Sequence, residues 1–166
     1  NSIIPVGGVP TGGGGGIIQI VEDSTTTTAT NTTTTFVDTN LSGTITPISS
    51  SSKVLVIVQQ QMFFANNASG TGAGVNILRG STEIYNAPKN SVGSYGQFIS
   101  GGGLSTLSHH YTKVLHILDS PNTTSATTYK TQFAMYEAGN NGSAIVQNAS
   151  TPHNAKSFIF LMEVAA

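Results

Sequence analysis

The sequence contains no cysteine and no tryptophan among its 166 residues, and only 8% of its residues are charged. Without cysteine the chain has no disulfide, no thiolate zinc site and no cysteine nucleophile. Ordinary soluble domains have about 25% charged residues. Because charged side chains supply much of acid–base chemistry, this composition predicts an architecture more readily than a reaction.

An excess of one charge and long apolar runs are also missing. Six Lys and Arg accompany seven Asp and Glu, which leaves a net charge of -1 and no electrostatic footprint for nucleic acid. No apolar run exceeds about six residues, whereas a membrane-spanning helix needs about 20. Residues 1–16 have neither the basic start nor the apolar stretch of a signal peptide. We therefore expect no nucleic-acid partner, no membrane insertion and no signal peptide.

Small and turn-forming residues are what the chain has in excess. Gly, Ser, Thr and Asn supply 74 of the 166 residues, yet 37% of the residues are hydrophobic and the mean hydropathy is +0.04. This is too apolar for a disordered polar tract, and one domain of about 150 residues can bury a proper core. Residues 1–16 hold seven glycines and two prolines. We predict a linker or attachment arm there, followed by one domain over residues 17–166.

The pattern from Ile17 onward is that of β-structure. Segments rich in Val, Ile, Thr, Phe and Tyr alternate with clusters of Gly, Asn, Ser and Pro, and apolar residues nowhere recur at helical spacing over three turns. The predicted strands are Ile17–Glu22, Thr33–Val37, Thr44–Pro47, Lys53–Phe64, Gly74–Arg79, Thr82–Tyr85, Gln97–Ser100, His110–Leu118, Thr127–Tyr136, Ala144–Gln147 and Ser157–Val164.

The longest strands differ in how many of their faces are apolar. Thr127–Tyr136 alternates in the way of a half-buried antiparallel strand, which predicts two packed antiparallel sheets. Lys53–Phe64 and Ser157–Val164 are apolar on both faces, so either a partner subunit or a loop crossing the sheet must cover the second face. We predict a homotrimer that buries one of these faces. The residues expected in the core or in that interface are Val54, Val56, Val58, Phe133, Met135, Phe160 and Met162.

Catalytic groups are sparse and scattered. The seven acidic residues are scattered apart from the adjacent Glu22 and Asp23, no G-x-S-x-G elbow is present, and we identify no pair of carboxylates suited to bracket a bond. Asp119 precedes Ser120 and Pro121, and we interpret it as a turn cap whose carboxylate accepts backbone N–H bonds. The sequence therefore predicts no enzyme and no cofactor.

The histidines are the remaining candidates for chemistry. His109 and His110 are adjacent, so on a strand they point to opposite faces, while His116 shares the face of His110 about 20 Å away. We therefore predict no metal site within one chain. Around a threefold axis one histidine from each subunit could still meet an ion, and the alternative is an imidazole with ordinary hydrogen bonds.

Three segments rich in Asn, Ser and Gly are candidate recognition loops, namely residues 65–73, 86–96 and 139–143. Amides hydrogen-bond to hydroxyl groups and aromatic rings stack on sugars, so such loops suit a glycan or a protein surface, although they suit inert connectors equally well. The candidate binding residues are Asn66, Asn67, Asn86, Asn90, Tyr95, Asn140 and Asn141.

Four segments carry a family resemblance: Ile17–Val58, Val75–Tyr85 (VNILRGSTEIY), His116–Phe133 (HILDSPNTTSATTYKTQF) and Ile159–Ala166 (IFLMEVAA). With these motifs the chain resembles virion proteins of marine and cyanobacterial bacteriophages, often found at the tips of tail fibres or spikes. The resemblance implies a jelly-roll-like, trimeric β-sandwich in the virion, attached through residues 1–16 to other virion proteins. The glycine-rich amino end departs from the family pattern and leaves a fibre shaft, a baseplate or a capsid as the attachment point.

Three functions are compared on this basis. The first is a fibre or spike tip whose loops attach to a host surface glycan or protein. The alternative is a capsid decoration (cementing) protein or head fibre with no receptor role, which the glycine-rich arm favours. A depolymerase is disfavoured because the sequence has no carboxylate pair and no room for a long β-helix.

Overall fold

A computed structural model describes residues 16–66, 71–86, 98–99, 107–135, 142–148 and 155–166 of the chain. The described residues form β-strands, turns and bends and contain no helix. The strands are β1 (Ile17–Thr25), β2 (Ala29–Asn31), β3 (Val37–Ile45), β4 (Lys53–Asn66), β5 (Thr71–Arg79), β6 (Thr82–Tyr85), β7 (Phe98–Ile99), β8 (Leu107–Asp119), β9 (Thr127–Met135), β10 (Ser143–Val146) and β11 (Ser157–Val164).

Two antiparallel sheets pack face to face, which confirms the predicted β-sandwich. In sheet A the main strands lie in the order β8-β4-β11-β1, and β10 and β2 extend the sheet beside the second half of β4. In sheet B the order is β3-β9-β5-β6, and β7 pairs with the start of β5. The eight main strands are β1, β3, β4, β5, β6, β8, β9 and β11. When they are renumbered from 1 to 8 in chain order, the strand order is 1-8-3-6 in sheet A and 2-7-4-5 in sheet B. This is the strand order of a jelly roll.

Alternation along the strands decides which side chains enter the core between the sheets. On β9 the odd-numbered residues from Thr127 to Met135 are buried, as the sequence predicted. The largest fully buried side chains are Tyr129 and Phe133 on this strand. The other buried apolar residues of the core cluster are Leu41, Ile45, Val54, Val56, Val58, Met62, Ala73, Val75, Ile77, Leu115, Met135, Ala144, Val146, Ile159 and Leu161.

Five of the seven residues predicted for the core or an interface lie in the core. The other two, Phe160 and Met162, lie on the outer face of sheet A, because Ile159 and Leu161 take the inward positions of β11. The burial pattern of β11 alternates strictly, so a run that is apolar on both faces does not by itself show which face enters the core.

The segment before β3 corrects the sequence-based strand assignment. Thr33–Val37 was expected to be a strand and Thr44–Pro47 another, but residues 33–35 bend and one strand runs from Val37 to Ile45. The buried Asn31 causes the bend, because its Oδ1 accepts the N–H of Thr33 at 2.8 Å and its Nδ2 donates to the carbonyl of Thr35 at 2.8 Å. High β propensity of threonine is overridden by this local hydrogen bonding.

A buried polar cluster joins the two sheets within the core. In the amide orientation that pairs all its atoms, Gln147 donates to the carbonyls of Thr27 and Thr39 at 3.1 and 3.0 Å. Its oxygen accepts from Ser157 Oγ at 2.8 Å and from Gln60 Nε2 at 2.6 Å. Because these side chains are buried, their hydrogen bonds replace those lost to water and fix the positions of the two sheets.

The sandwich has two different ends. We call one end the arm end because Gly16, the last residue of the predicted arm, lies there, and its carbonyl accepts the N–H of Ala165 at 2.9 Å. The arm end carries the connections over residues 46–52, 80–81 and 120–126. The opposite end is called the loop end, and there β1 leads to β3, β4 to β5, β6 to β8 and β9 to β11. Three of these four loop-end connections are longer than any connection at the arm end.

Candidate functional site

The predicted binding residues are placed only in part by the structure. Asn66 is the last residue of β4 and pairs with Leu107, and Asn86 directly follows β6. The other five lie outside the described residues: Asn67, Asn90, Tyr95, Asn140 and Asn141.

Strand pairing shows where the described strands next to these segments lie. The last residues of β4 pair with the first residues of β8 and β10, and the first residues of β5 pair with β7 and with the end of β9. The strand ends that flank residues 65–73 and 139–143 therefore share one end of the sandwich with β7, whereas Tyr85 at the end of β6 pairs with Ile77, nearer the other end of β5. This is the position in which loops vary without disturbing packed sheets.

Asn86 is tied to sheet B through a glutamate. Its Nδ2 donates to Glu83 Oε1 at 2.6 Å, and the other carboxylate oxygen of Glu83 accepts from Asn76 Nδ2. Asn76 is 1% exposed, so the bridge fixes the exit of β6 to a buried strand. Asn86 itself is exposed, although its side-chain nitrogen already donates a hydrogen bond to Glu83.

The histidines on β8 point to opposite faces, as the sequence predicted. His110 is exposed and packs its ring against Phe63, with 4.4 Å between centroids, while the half-buried His109 stacks on Tyr111 at 5.7 Å. Burial raises the pKa of the Tyr111 hydroxyl. The described part of the chain holds no group of three or more His, Cys, Asp or Glu side chains placed to bind a metal ion.

Asp119 was interpreted as a turn cap, and the structure contradicts this. Its carboxylate accepts from Arg79 Nη1 at 2.9 and 2.8 Å and from the Tyr129 hydroxyl at 2.8 Å. Burial and then the hydrogen bond to Asp119 raise the pKa of Tyr129. The sequence misses this arrangement because Arg79 and Tyr129 lie on strands of the other sheet, and only the packing of the two sheets brings them to Asp119.

The outer surface of sheet B carries a second ion pair. Lys130 Nζ donates to both carboxylate oxygens of Asp38, at 3.0 and 2.9 Å, and Gln132 Nε2 donates to Asp38 at 2.7 Å. Burial alone would raise the pKa of Asp38, but these two hydrogen bonds and the charge of Lys130 hold it below its ordinary value. The adjacent cavity of about 120 Å³ is small against the roughly 300–1,000 Å³ of ligand sites.

The outer face of sheet A is the most apolar surface among the described residues. Every second residue of β4, β8 and β11 points outward, β1 contributes two apolar side chains and β10 contributes one. Its apolar members are half-buried except Ile17, Val114 and Leu118, which are 44%, 60% and 51% exposed. They are Ile17, Ile20, Leu55, Ile57, Phe63, Val114, Leu118, Ile145, Phe158, Phe160, Met162 and Val164.

The sequence analysis anticipated part of this face and missed the rest. It identified β4 and β11 as strands with two apolar faces, but it did not assign β8 to the same surface. The signal was present in the run Val114–Leu118, where apolar residues occupy both faces around His116. Only the pairing of β8 with β4 shows that these outward residues continue one surface.

Among the described residues, no helix has the length and apolar character needed to cross a membrane.

No protein-family model and no curated protein matches the chain. Solved structures of infectious bursal disease virus particles have a similar arrangement over 99% of this chain. The T=1 particles have 11% sequence identity and a TM-score of 0.40, and the T13 particle has 12% identity and a TM-score of 0.40. The structure of the Gx strain of this virus has 11% sequence identity and a TM-score of 0.38. The chain spans 42–44% of the length of these viral chains.

Proposed function

We propose that this domain is a structural component of a bacteriophage virion, a fibre or spike tip that attaches to the host. The observation that carries the proposal is the difference between the two ends of the sandwich. Gly16 and Ala165 are hydrogen-bonded at the arm end, and most of the long connections leave from the loop end. A domain attached at the arm end presents its longer loops away from the attachment.

The jelly-roll order is compatible with this role, since the architecture recurs in viral capsid and lectin domains. A fold alone does not assign a function. The proposal therefore rests on the resemblance of the sequence motifs to phage virion proteins together with the separation of the arm from the loops.

Recognition in this proposal uses amide and aromatic groups at the loop end. An asparagine amide offers both a donor and an acceptor to a hydroxylated ligand, and a tyrosine ring offers a stacking surface. Single contacts of this kind are weak. In the homotrimer that the resemblance implies, three copies on one axis raise the effective concentration and strengthen millimolar sites by roughly 10²-fold or more.

A cell-binding assay tests the attachment role. The variant carries Asn67→Ala, Tyr95→Ala and Asn141→Ala, and we expect at least a tenfold loss of binding to host cells with an unchanged circular dichroism spectrum. The matched control carries three polar truncations at the arm end, Thr46→Ala, Ser50→Ala and Thr124→Ala, all at exposed positions. We expect the control to bind as the wild type does, and undiminished binding by the folded loop variant would contradict the proposal.

The second candidate function is capsid decoration without a receptor role. Two features favour it, namely the glycine-rich arm over residues 1–16 and the apolar outer face of sheet A. An arm can thread between neighbours, and an apolar face can pack on them. Absence of cell binding by wild type, loop variant and control alike would favour this alternative.

A further inference from the structure

We propose that the outer face of sheet A is the surface through which copies of this chain associate. The inference goes beyond the proposed function, because identical faces that pack on each other pair two copies about a twofold axis and add a contact to those of the proposed homotrimer. It does not depend on attachment to a host. The partner is a second copy of this chain, and the argument follows from the make-up, the area and the shape of the face.

The register of sheet A places the apolar side chains next to one another. Leu55 lies beside Leu118 on one side and Met162 on the other, and Ile20 on β1 continues the same row. The next row contains His116, Ile57, Phe160 and Glu22, so its apolar part lies on β4 and β11. The rings of Phe160 and Phe158 stack with 6.4 Å between centroids. Cross-strand neighbours thus form a continuous patch rather than isolated exposed residues.

Charges lie only at the margin of this patch. No outward position of β4 from 55 to 63, of β8 from 110 to 118 or of β11 from 158 to 162 holds Asp, Glu, Lys or Arg. Glu22 lies on the edge strand β1, Lys53 begins β4, and Lys156 lies over the Phe158 ring at 5.1 Å before β11 begins. The centre of the face is uncharged, with Gln59 and Gln61 among its apolar residues, and a charged rim around such a centre is typical of a protein–protein interface.

The area is large enough for a stable contact between two copies. Nine residues of β4 by four strands give a projected face of about 30 Å by 19 Å, or about 600 Å². Two such faces together bury about 1,200 Å², which reaches the lower limit of about 1,200–2,000 Å² for specific interfaces.

The shape and chemistry of the face favour another copy over an unlike partner. A face without Lys or Arg in its centre does not neutralise phosphates, so nucleic acid is disfavoured. A sheet face packs well on a second sheet face about 10 Å away, as the inner face of the same strands packs on sheet B. Every copy of the chain supplies that second face.

Light scattering with size-exclusion chromatography at micromolar concentration tests the inference. We expect the wild type to elute as a multiple of the 17.1 kDa chain, and the double variant Val114→Glu with Leu118→Glu to elute as one chain. Both residues are more than half exposed, so the substitutions do not disturb the core. The control is Ile48→Glu, because Ile48 is apolar and 71% exposed but lies outside sheet A. We expect this variant to keep the mass of the associated wild type.

Two outcomes would overturn the inference: a wild type with the mass of one chain, or a folded double variant that keeps the mass of the multiple. If the glutamate variant misfolds, Val114→Ser with Leu118→Ser replaces it, and sedimentation is expected to show association at least tenfold weaker. Association that is unchanged in this variant also contradicts the inference. If the wild type has the mass of one chain but still binds host cells, this face is not an association surface and the attachment role still holds.

Discussion

Arg79 on β5 and Asp119 at the end of β8 form an ion pair between the two sheets, with Nη1 at 2.9 and 2.8 Å from the two carboxylate oxygens. Their side chains are 29% and 11% exposed. The Tyr129 hydroxyl donates to the same carboxylate at 2.8 Å, so three strands meet at one group. This contact fixes the spacing of the sheets at the arm end.

Removing the carboxylate of Asp119 should destabilise the domain. In Asp119→Ala the Tyr129 hydroxyl loses its carboxylate acceptor, and the Arg79 guanidinium keeps only the Ser120 carbonyl as acceptor, while both groups stay partly desolvated. We expect the free energy of unfolding in urea to fall by about 2–3 kcal/mol. The control is Asp38→Ala, which breaks an ion pair whose carboxylate is 51% exposed and should cost less than about 1 kcal/mol. Equal losses in the two variants would contradict the structural role of Asp119.

The buried polar cluster gives a second prediction. Ser157 Oγ accepts the backbone N–H of Gln61 at 2.8 Å and the amide of Gln60 at 3.0 Å. Ser157→Ala leaves these donors without that acceptor inside the core, so we expect a loss of about 1–3 kcal/mol in unfolding free energy. Ser50→Ala, at an exposed position, should change stability by less than about 0.5 kcal/mol. An unchanged free energy of unfolding in Ser157→Ala would show that the cluster does not stabilise the sandwich.

Close packing across the sandwich predicts the effect of a bulkier residue at Gly43. A Cβ atom there would lie 3.2 Å from Ile159 Cγ2 and 3.3 Å from Leu161 Cδ1. Gly43→Val therefore overpacks the core and should lower the unfolding free energy by about 1–3 kcal/mol. Ser42→Val, whose side chain points outward from the neighbouring position on β3, is the matched control and should be nearly neutral. Similar melting temperatures for the two variants would contradict the packing described.

The buried tyrosines predict how stability changes at alkaline pH. Burial raises the pKa of Tyr111 and of Tyr129 in the folded chain, so folding favours the neutral phenol. Their contribution is fully present below the unfolded tyrosine pKa of about 10 and is lost as the pH rises above it. Urea titrations between pH 9 and pH 11 should show this loss, and Tyr111→Phe with Tyr129→Phe should reduce its slope. An unchanged slope in the double variant would assign the loss to other groups.

The sequence predicted the fold well because its strongest signal, period-two alternation, is local. The buried odd-numbered residues of β9 follow from that alternation, although Ala134 on the other face is buried as well, and the boundaries of β11 were predicted to the residue. The bend over residues 33–35 was missed because threonine favours strands, and the hydrogen bonds of Asn31 that override this preference depend partly on β9, through the carbonyl of Phe133 at 2.9 Å.

The candidate surfaces could be predicted only in part. Two-sided strands pointed to a covered second face, but the contribution of Val114 and Leu118 required the pairing of β8 with β4. The roles of Asp119 and Gln147 depend on partners from distant parts of the chain, which no local pattern reports. Asn66 and Asn86 were predicted as binding residues, and that role stays a prediction.

Electron microscopy of the intact virus particle whose genome encodes this chain is the most direct test of the central claim. With the chain located by a gold-labelled antibody or by fitting the sandwich to density, we predict copies at the tip of a fibre or spike, with the loop end pointing outward and the arm end toward the particle. Copies of the chain over the capsid surface with the loop end against neighbouring subunits, or none in the purified particle, would contradict the account.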